Sequence, residues 1–201
     1  MARSLGPVPT LVAVPQPRAR RFFAVVAAFA LGAVLTSCSG SDATGTASSG
    51  ASASASAGAA LLRTGLEQLN AGDSQAAEVT FRNVLTVDPA NLYAHYNLGL
   101  IAQNRNDTQQ AIESYDAALA IDDTYAPALY NRAILTEPTD LDAAVVLYRK
   151  AVDADPKFAA AFMRLGFALV HLGKADEGST YLGKGIALDP TMVDVEAPSY
   201  E

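Results

Sequence analysis

The chain has 201 residues, half of them hydrophobic, and a formal net charge of −7. An acidic surface repels phosphate groups, so this balance disfavours nucleic acid as a partner. The two histidines, His95 and His171, and the single cysteine, Cys38, fit no zinc or catalytic-triad spacing, so the sequence predicts neither a cofactor, nor a metal, nor an enzyme.

Residues 1–37 are typical of an export signal peptide. They contain no acidic residue, and an apolar run from Phe22 to Leu35 follows a cationic stretch. The basic residues of that stretch are Arg3, Arg18, Arg20 and Arg21. The apolar run is short for a transmembrane helix but suits the core of a signal peptide.

The motif Leu35-Thr36-Ser37-Cys38 resembles a bacterial lipobox, in which the cysteine is diacylated and becomes the first mature residue. The resemblance implies a lipid anchor at Cys38 and a place on the extracytoplasmic side of the cell membrane, or in the outer membrane of a double-membrane bacterium. The alternative is that Cys38 is an ordinary buried thiol. Arg20-Arg21-Phe22-Phe23 also resembles a twin-arginine export motif, which is an alternative to a plain cationic signal.

Residues 39–57 consist of Ser, Gly, Ala and Thr with one Asp. Such a segment buries too little apolar surface to offset the entropy of ordering it. Together with Cys38, residues 38–57 are therefore predicted to be a disordered tether with a mean reach of roughly 24 Å.

From Gly58 to Met192 one pattern of small and bulky residues returns four times, at spacings of 34, 34 and 33 residues. Each copy has two small residues eleven or twelve positions apart, followed by a large apolar residue. The first small residues are Gly65, Gly99, Ala133 and Gly166, the second are Ala77, Ala111, Ala144 and Gly178, and the large residues are Phe81, Tyr115, Tyr148 and Leu182. The pattern predicts two antiparallel helices per copy, because small residues let backbones approach and a bulky residue fills the gap beside them.

Turn chemistry supports a joint inside each copy. Asp107 precedes a helix-forming run and is predicted to cap it, with Gln110 reaching back. In the third copy Thr139 and Asp142 are candidates for the same roles. That copy is one residue short near Glu137, so we expect a tighter corner there.

The second copy carries the fullest motif, namely Tyr96-Asn97-Leu98-Gly99, then Ala111-Ile112, Tyr115, Ala118-Leu119 and Asp122. In these residues the chain resembles the tetratricopeptide repeat (TPR) family. The resemblance implies an all-α fold, a right-handed α-solenoid of about four helix-turn-helix repeats, preceded by the signal peptide and linker. We place the TPR domain at 58–192, with repeats 58–91, 92–125, 126–158 and 159–192, and a C-terminal tail at 193–201.

In TPR arrays the first helices of the repeats line a concave groove that binds other proteins, and the resemblance carries this role to matching positions here. The predicted partner-binding groove consists of Tyr93, Tyr96, Asn97, Leu100, Tyr130, Asn131, Met163, Arg164 and Phe167. We expect the hydroxyls of Tyr96 and Tyr130 to reach water. For the apolar members, packing between helices is the alternative.

Arg63, Asn97, Asn131 and Arg164 occupy equivalent positions, one in each copy. In chaperone-binding TPR domains, asparagines and basic residues of the groove clamp the terminal carboxylate of a peptide, and the last three residues resemble part of that clamp. The lysines that complete it are missing here. A structural role for the asparagines is the alternative.

The last copy contains Gly178, Gly183 and Gly185, each of which costs about 1 kcal/mol against alanine inside a helix. The tail after it is too short and too polar for a capping helix. We therefore expect this end to be frayed, or covered by a partner or a second copy of the chain.

Taken with the resemblance, the sequence predicts a membrane-anchored scaffold or adaptor that mediates protein–protein interaction or complex assembly in the bacterial cell envelope. A regulatory accessory subunit of a cell-wall enzyme and a homo-oligomeric element joined through the last repeat are alternatives. The expected partners are an envelope protein or peptide, and the membrane through the anchor at Cys38.

Overall fold

The computed structural model describes the backbone of residues 47–200 and the side chains of residues 56–200. The predicted signal peptide, Cys38 and the first part of the tether lie outside this range. The described chain forms eight α-helices and a final 3-10 helix at Pro190–Asp194. The α-helices are α1 (Ala47–Asn70), α2 (Ser74–Val87), α3 (Leu92–Asn104), α4 (Thr108–Ile121), α5 (Ala126–Thr136), α6 (Leu141–Ala154), α7 (Ala159–His171) and α8 (Ala175–Leu188).

The helices form four pairs, and each helix packs against the ones before and after it in the chain. The predicted all-α solenoid of four helix-turn-helix repeats is thereby confirmed. The core follows the same order, because one buried cluster joins the first pair to α3 and a second joins the second pair to α5. A third, larger cluster spans the last two pairs.

Close approach of the two helices in a pair depends on the small residues that recur in the sequence. A Cβ atom on Gly99 would lie 2.5 Å from Cε1 of Tyr115, and one on Gly65 would lie 2.6 Å from Cε1 of Phe81. Both rings are fully buried. The predicted pairing of small and bulky residues is therefore confirmed, since neither glycine position has room for a side chain.

Three of the four joints share one turn geometry. Gly72, Asn106 and Gly173 have positive φ angles of 83°, 60° and 77°. This left-handed conformation ends the first helix and favours glycine or asparagine. The third joint differs from the others, because Glu137 there keeps right-handed helical angles.

Caps at the second helices agree with the sequence in part. Asp107 accepts a hydrogen bond from the backbone N–H of Gln110 at 3.2 Å, as predicted. The side chain of Gln110 does not reach back, however, but points towards the hydroxyl of Ser114. In the third repeat the cap is Asp140, which accepts from the N–H of Ala143 at 2.8 Å, and not Thr139 with Asp142.

Helix α1 begins at Ala47, inside the segment for which the composition predicts disorder. The difference has a physical reason. Alanine is the strongest helix former, and a helix that is already nucleated by the packed part of α1 gains one hydrogen bond for each residue it adds. No helix of the described residues is both long and apolar enough to cross a membrane.

The segment after α8 is not frayed. Asp189 caps the 3-10 helix through its contacts with Thr191, and that helix packs against α8. Further on, Tyr200 is half-buried and packs against the large cluster of the last two repeats. The expectation of a frayed end was based on the mean polarity of the tail. The packing of the tail against the cluster depends instead on a single aromatic residue, Tyr200.

Candidate partner-binding groove

The predicted groove residues lie on the first helices of repeats two to four, which are α3, α5 and α7. We call the surface that these helices share the groove face. Side chains join the helices laterally across it. The amide of Asn131 on α5 donates to the hydroxyl of Tyr96 on α3 at 3.2 Å, and Arg164 on α7 donates to Glu137 at the end of α5 at 2.9 Å.

Tyrosine rings form a cluster on the α3 side of the groove face. The ring of Tyr125 lies edge-on to Tyr96 and Tyr93, with centroid distances of 5.3 and 6.1 Å. Tyr96 also contacts Tyr115 of α4, at 5.9 Å. Tyr93 remains 46% exposed, so it is the ring of this cluster that a partner reaches most directly.

The structure corrects the expectation that the Tyr96 hydroxyl is free to contact water, because Asn131 donates a hydrogen bond to it. Tyr96 is half-buried and its hydroxyl is held by Asn131, and burial raises its pKa to about 12. Burial likewise raises the pKa of Tyr130, although Arg164 opposes the shift. Tyr130 packs against Phe158 at a centroid distance of 4.8 Å. Both tyrosines therefore shape the groove face mainly through their rings.

Two polar pairs beneath the groove face were missed by the sequence analysis. The buried hydroxyl of Tyr115 donates to Oε1 of Gln103 at 2.7 Å, and that of Tyr148 donates to Oε1 of Glu137 at 2.6 Å. Gln103 and Glu137 occupy equivalent positions in their repeats. In repeats one and four, Phe81 and Leu182 replace the tyrosine, and Leu69 and Val170 replace its acceptor. The two positions are thus both polar in repeats two and three and both apolar in repeats one and four. Comparing them across the four repeats would have identified the pairs from the sequence.

Glu137 is a deeply buried charged residue of the groove face. Only 8% of its side chain is exposed, and that of its partner Arg164 is 24% exposed. Burial raises the pKa of the Glu137 carboxyl, against the effects of Arg164 and of the hydrogen bond from Tyr148. The pair joins α5 to α7 and leaves this part of the groove face without net charge.

The polar residues of the proposed carboxylate clamp have partners within the chain. The amide of Asn97 is buried and donates to the backbone carbonyl of Tyr93 at 2.7 Å. Asn131 holds Tyr96, and the carboxylate bound by Arg164 is that of Glu137. The structural interpretation of the two asparagines accounts for these contacts, since a buried amide such as that of Asn97 requires a partner and the half-buried Asn131 also has one within the chain.

Met163 is also placed differently from the expectation, because it is 5% exposed. A Cβ atom on Gly185 would lie 2.8 Å from its Sδ atom, so Met163 fills the gap between α7 and α8. Leu100 and Phe167 are half-buried. The accessible part of the predicted site thus consists of Tyr93 together with the half-buried Tyr96, Leu100, Tyr130, Asn131, Arg164 and Phe167.

The chain matches known families over its repeats. Sequence models described as tetratricopeptide repeat match residues 62–126 and 135–194. Among curated proteins, the chain is 28% identical over 142 residues to the type IV pilus assembly protein PilF of Pseudomonas aeruginosa. The aligned stretch covers 68% of this chain and 55% of that protein. It is 30% identical over 103 residues to the photosystem I assembly protein Ycf3 of Prochlorococcus marinus, covering 46% of this chain and 60% of that protein. The chain therefore spans little more than half the length of these relatives.

Solved structures show the same fold. The structure of Pseudomonas aeruginosa pilF is 26% identical, with a TM-score of 0.61 over 69% of this chain and 64% of that one. The crystal structure of MamA is 24% identical, with a TM-score of 0.59 over 67% and 79%. The helix pairs, the small and bulky residues that join them and these matches lead to one conclusion: the chain belongs to the tetratricopeptide repeat family.

Proposed function

We propose that this chain is a membrane-anchored TPR scaffold or adaptor of the bacterial cell envelope, which binds a protein partner through its groove face. Membership of the TPR family supports a role in protein interaction. The similarity to proteins described by their roles in pilus and photosystem assembly supports assembly as the kind of process. The predicted export signal and the lipobox-like motif of the sequence support the envelope location.

The observation that carries the proposal is the exposure of Tyr93 within an ordered aromatic cluster. An aromatic ring that is 46% exposed and fixed by Tyr125 offers a large apolar contact without a further cost in side-chain entropy. Aromatic residues of this kind dominate binding energy at protein interfaces.

Affinity purification from cells that express a tagged chain tests the proposal. We expect Tyr93→Ala to reduce the recovery of a specific envelope protein at least about tenfold, because loss of an aromatic interface anchor costs more than about 1.4 kcal/mol. The matched control is Val79→Ala on α2, which truncates a side chain that is 56% exposed away from the groove face. Equal recovery with the wild type and both variants would contradict binding through the groove face.

A further inference from the structure

The groove face is already occupied at one place by the chain itself. Tyr200 packs against the apolar cluster of repeats three and four, and its ring centroid lies 4.7 Å from that of His171 on α7. Glu137 and Arg164 are near enough to act electrostatically on the Tyr200 hydroxyl. We call the surroundings formed by Glu137, Arg164 and His171 the Tyr200 seat. It lies where α5 and α7 are joined, and it includes the predicted groove residue Arg164.

One ring accounts for most of the attachment of this segment. Val195 is 48% exposed, and residues 196, 197 and 199 are exposed as well. Only Pro198 and Tyr200 are half-buried. A segment held by so few buried contacts opens more readily than the helices beneath it.

The fit of Tyr200 is incomplete at its polar end. Its hydroxyl oxygen is buried and has no hydrogen-bond partner, whereas buried hydroxyls normally find one. The seat therefore recognises the ring and gains nothing from the hydroxyl. The charges beside it are paired with each other, so the seat accepts a neutral aromatic side chain.

We propose that the Tyr200 seat is a recognition site for an aromatic side chain, Phe or Tyr, in an extended segment of the partner, and that residues 195–200 fill it when no partner is bound. This inference rests on the proposed partner-binding function and locates one contact of it. Because the internal segment is tethered, its effective concentration at the seat is high, and a partner must displace it. A partner can therefore occupy this part of the groove face only if it binds the seat tightly enough to displace Tyr200.

The histidines provide a direct measurement, because the chain contains only two. We would label histidine with ¹³C in the full-length chain in detergent and record the imidazole cross-peaks by NMR. Loss of the ring in Tyr200→Ala is expected to shift the His171 cross-peak and to leave that of His95, on α3, in place. Tyr200→Phe is expected to keep the wild-type His171 position, since the hydroxyl makes no hydrogen bond. An unchanged His171 cross-peak in Tyr200→Ala, at an unaltered melting temperature, would overturn the proposal.

A synthetic peptide with the sequence of residues 193–201 tests displacement. It is expected to bind the Tyr200→Ala chain at least about tenfold more tightly than the wild type, whose own segment competes, and to restore the His171 cross-peak. A peptide that carries the Tyr200→Ala change should not bind. Equal affinity for the wild type and the variant, or no binding to either, would overturn the proposal. A wild-type His171 position that changes with protein concentration would also overturn it, since a second copy would then be the occupant.

These outcomes are separate from those of the proposed function. If Tyr93→Ala abolishes partner recovery but the peptide does not bind Tyr200→Ala, only the Tyr200 seat is refuted. If the peptide binds and no partner depends on Tyr93, the seat is real and the proposed function fails.

Discussion

At the scale of single residues, glycines determine how closely the two helices of a repeat approach. Gly65 and Gly99 give room to the rings of Phe81 and Tyr115, and a Cβ atom at either glycine would overlap the ring. The sequence predicts these contacts because the same pair of residue types returns at one period. It did not predict the position of Met163, because the gap that Met163 fills is left by Gly185 on the following helix, and the resemblance assigns Met163 to the groove.

The glycines of α8 differ in what surrounds them, and this gives a prediction. No atom lies within 4 Å of a Cβ placed on Gly183, so Gly183→Ala is expected to raise the free energy of unfolding by about 1 kcal/mol through helix propensity. Gly178→Ala is the matched contrast. Its Cβ would lie 2.7 Å from the carbonyl oxygen of Gly166, and we expect a loss of about 1 to 3 kcal/mol.

Urea denaturation followed by circular dichroism measures both variants. Stabilisation by the two substitutions alike would show that α7 and α8 do not approach as closely as described. Destabilisation by Gly183→Ala would show that the outer surface of α8 is covered.

At the scale of helices, ion pairs join successive repeats. Glu78 of α2 is bound by Arg82 of its own helix and by Arg105 at the end of α3. Glu137 joins α5 to Arg164 of α7. The two carboxylates have opposite pKa shifts, because hydrogen bonding from Arg105 lowers that of Glu78 and burial raises that of Glu137.

For Glu78 the lowered pKa means that the folded chain releases this proton more readily than the unfolded chain. The resulting stability is present above the ordinary carboxyl pKa of 4.5 and is lost as the pH falls through the lower folded value. The unfolding free energy of the wild type minus that of Glu78→Gln is therefore expected to decrease between pH 5 and pH 3. Because both arginines are half-exposed or more, the advantage at pH 7 should be about 1 kcal/mol or less.

For Glu137 the sign is reversed. A folded pKa above 4.5 means that the folded chain holds this proton more tightly, so the contribution of Glu137 falls as the pH rises from 4.5 through the raised value. The unfolding free energy of the wild type minus that of Glu137→Gln should decrease with rising pH over that window. Denaturation curves collected across the acidic range measure both differences. Parallel pH profiles for the two variants would contradict the assignment of opposite environments.

The helices themselves were largely predictable, and the residues between them were less so. Alternating small and bulky positions fix eight helices, since only helical spacing places those residues on facing surfaces. The start of α1 was not predicted, because extension of a packed helix depends on what already supports it. Nor was the cap by Asp140, because the third joint follows a turn of its own.

At the scale of the whole molecule, the sequence predicts which helices carry the candidate site. It does not predict which side chains of the site are exposed to solvent. Equivalent positions in the repeats placed its residues on α3, α5 and α7. Which of them reach solvent depends on contacts between repeats, such as Asn131 with Tyr96, and these join residues far apart in sequence. Asn97 and Tyr93 illustrate this difference in exposure, because they lie about one turn apart on α3 and the first is buried while the second is exposed.

The proposed anchor gives a prediction for the whole chain. If Cys38 is diacylated, Cys38→Ser is expected to remove incorporation of a labelled fatty acid and to move the chain from the membrane fraction to the soluble one, because acyl chains supply the membrane affinity. Metabolic labelling and fractionation measure both effects. Continued membrane association of an unlabelled Cys38→Ser chain would point to an uncleaved signal segment.

The central claim is that the groove face binds a partner, and photo-crosslinking in living cells tests it most directly. A photoreactive amino acid is placed at Tyr93, with a control at Glu113, which is exposed on α4. Our account predicts that one envelope protein is trapped from Tyr93 and not from Glu113. Equal trapping from both positions, or trapping only of a second copy of the chain, would contradict it.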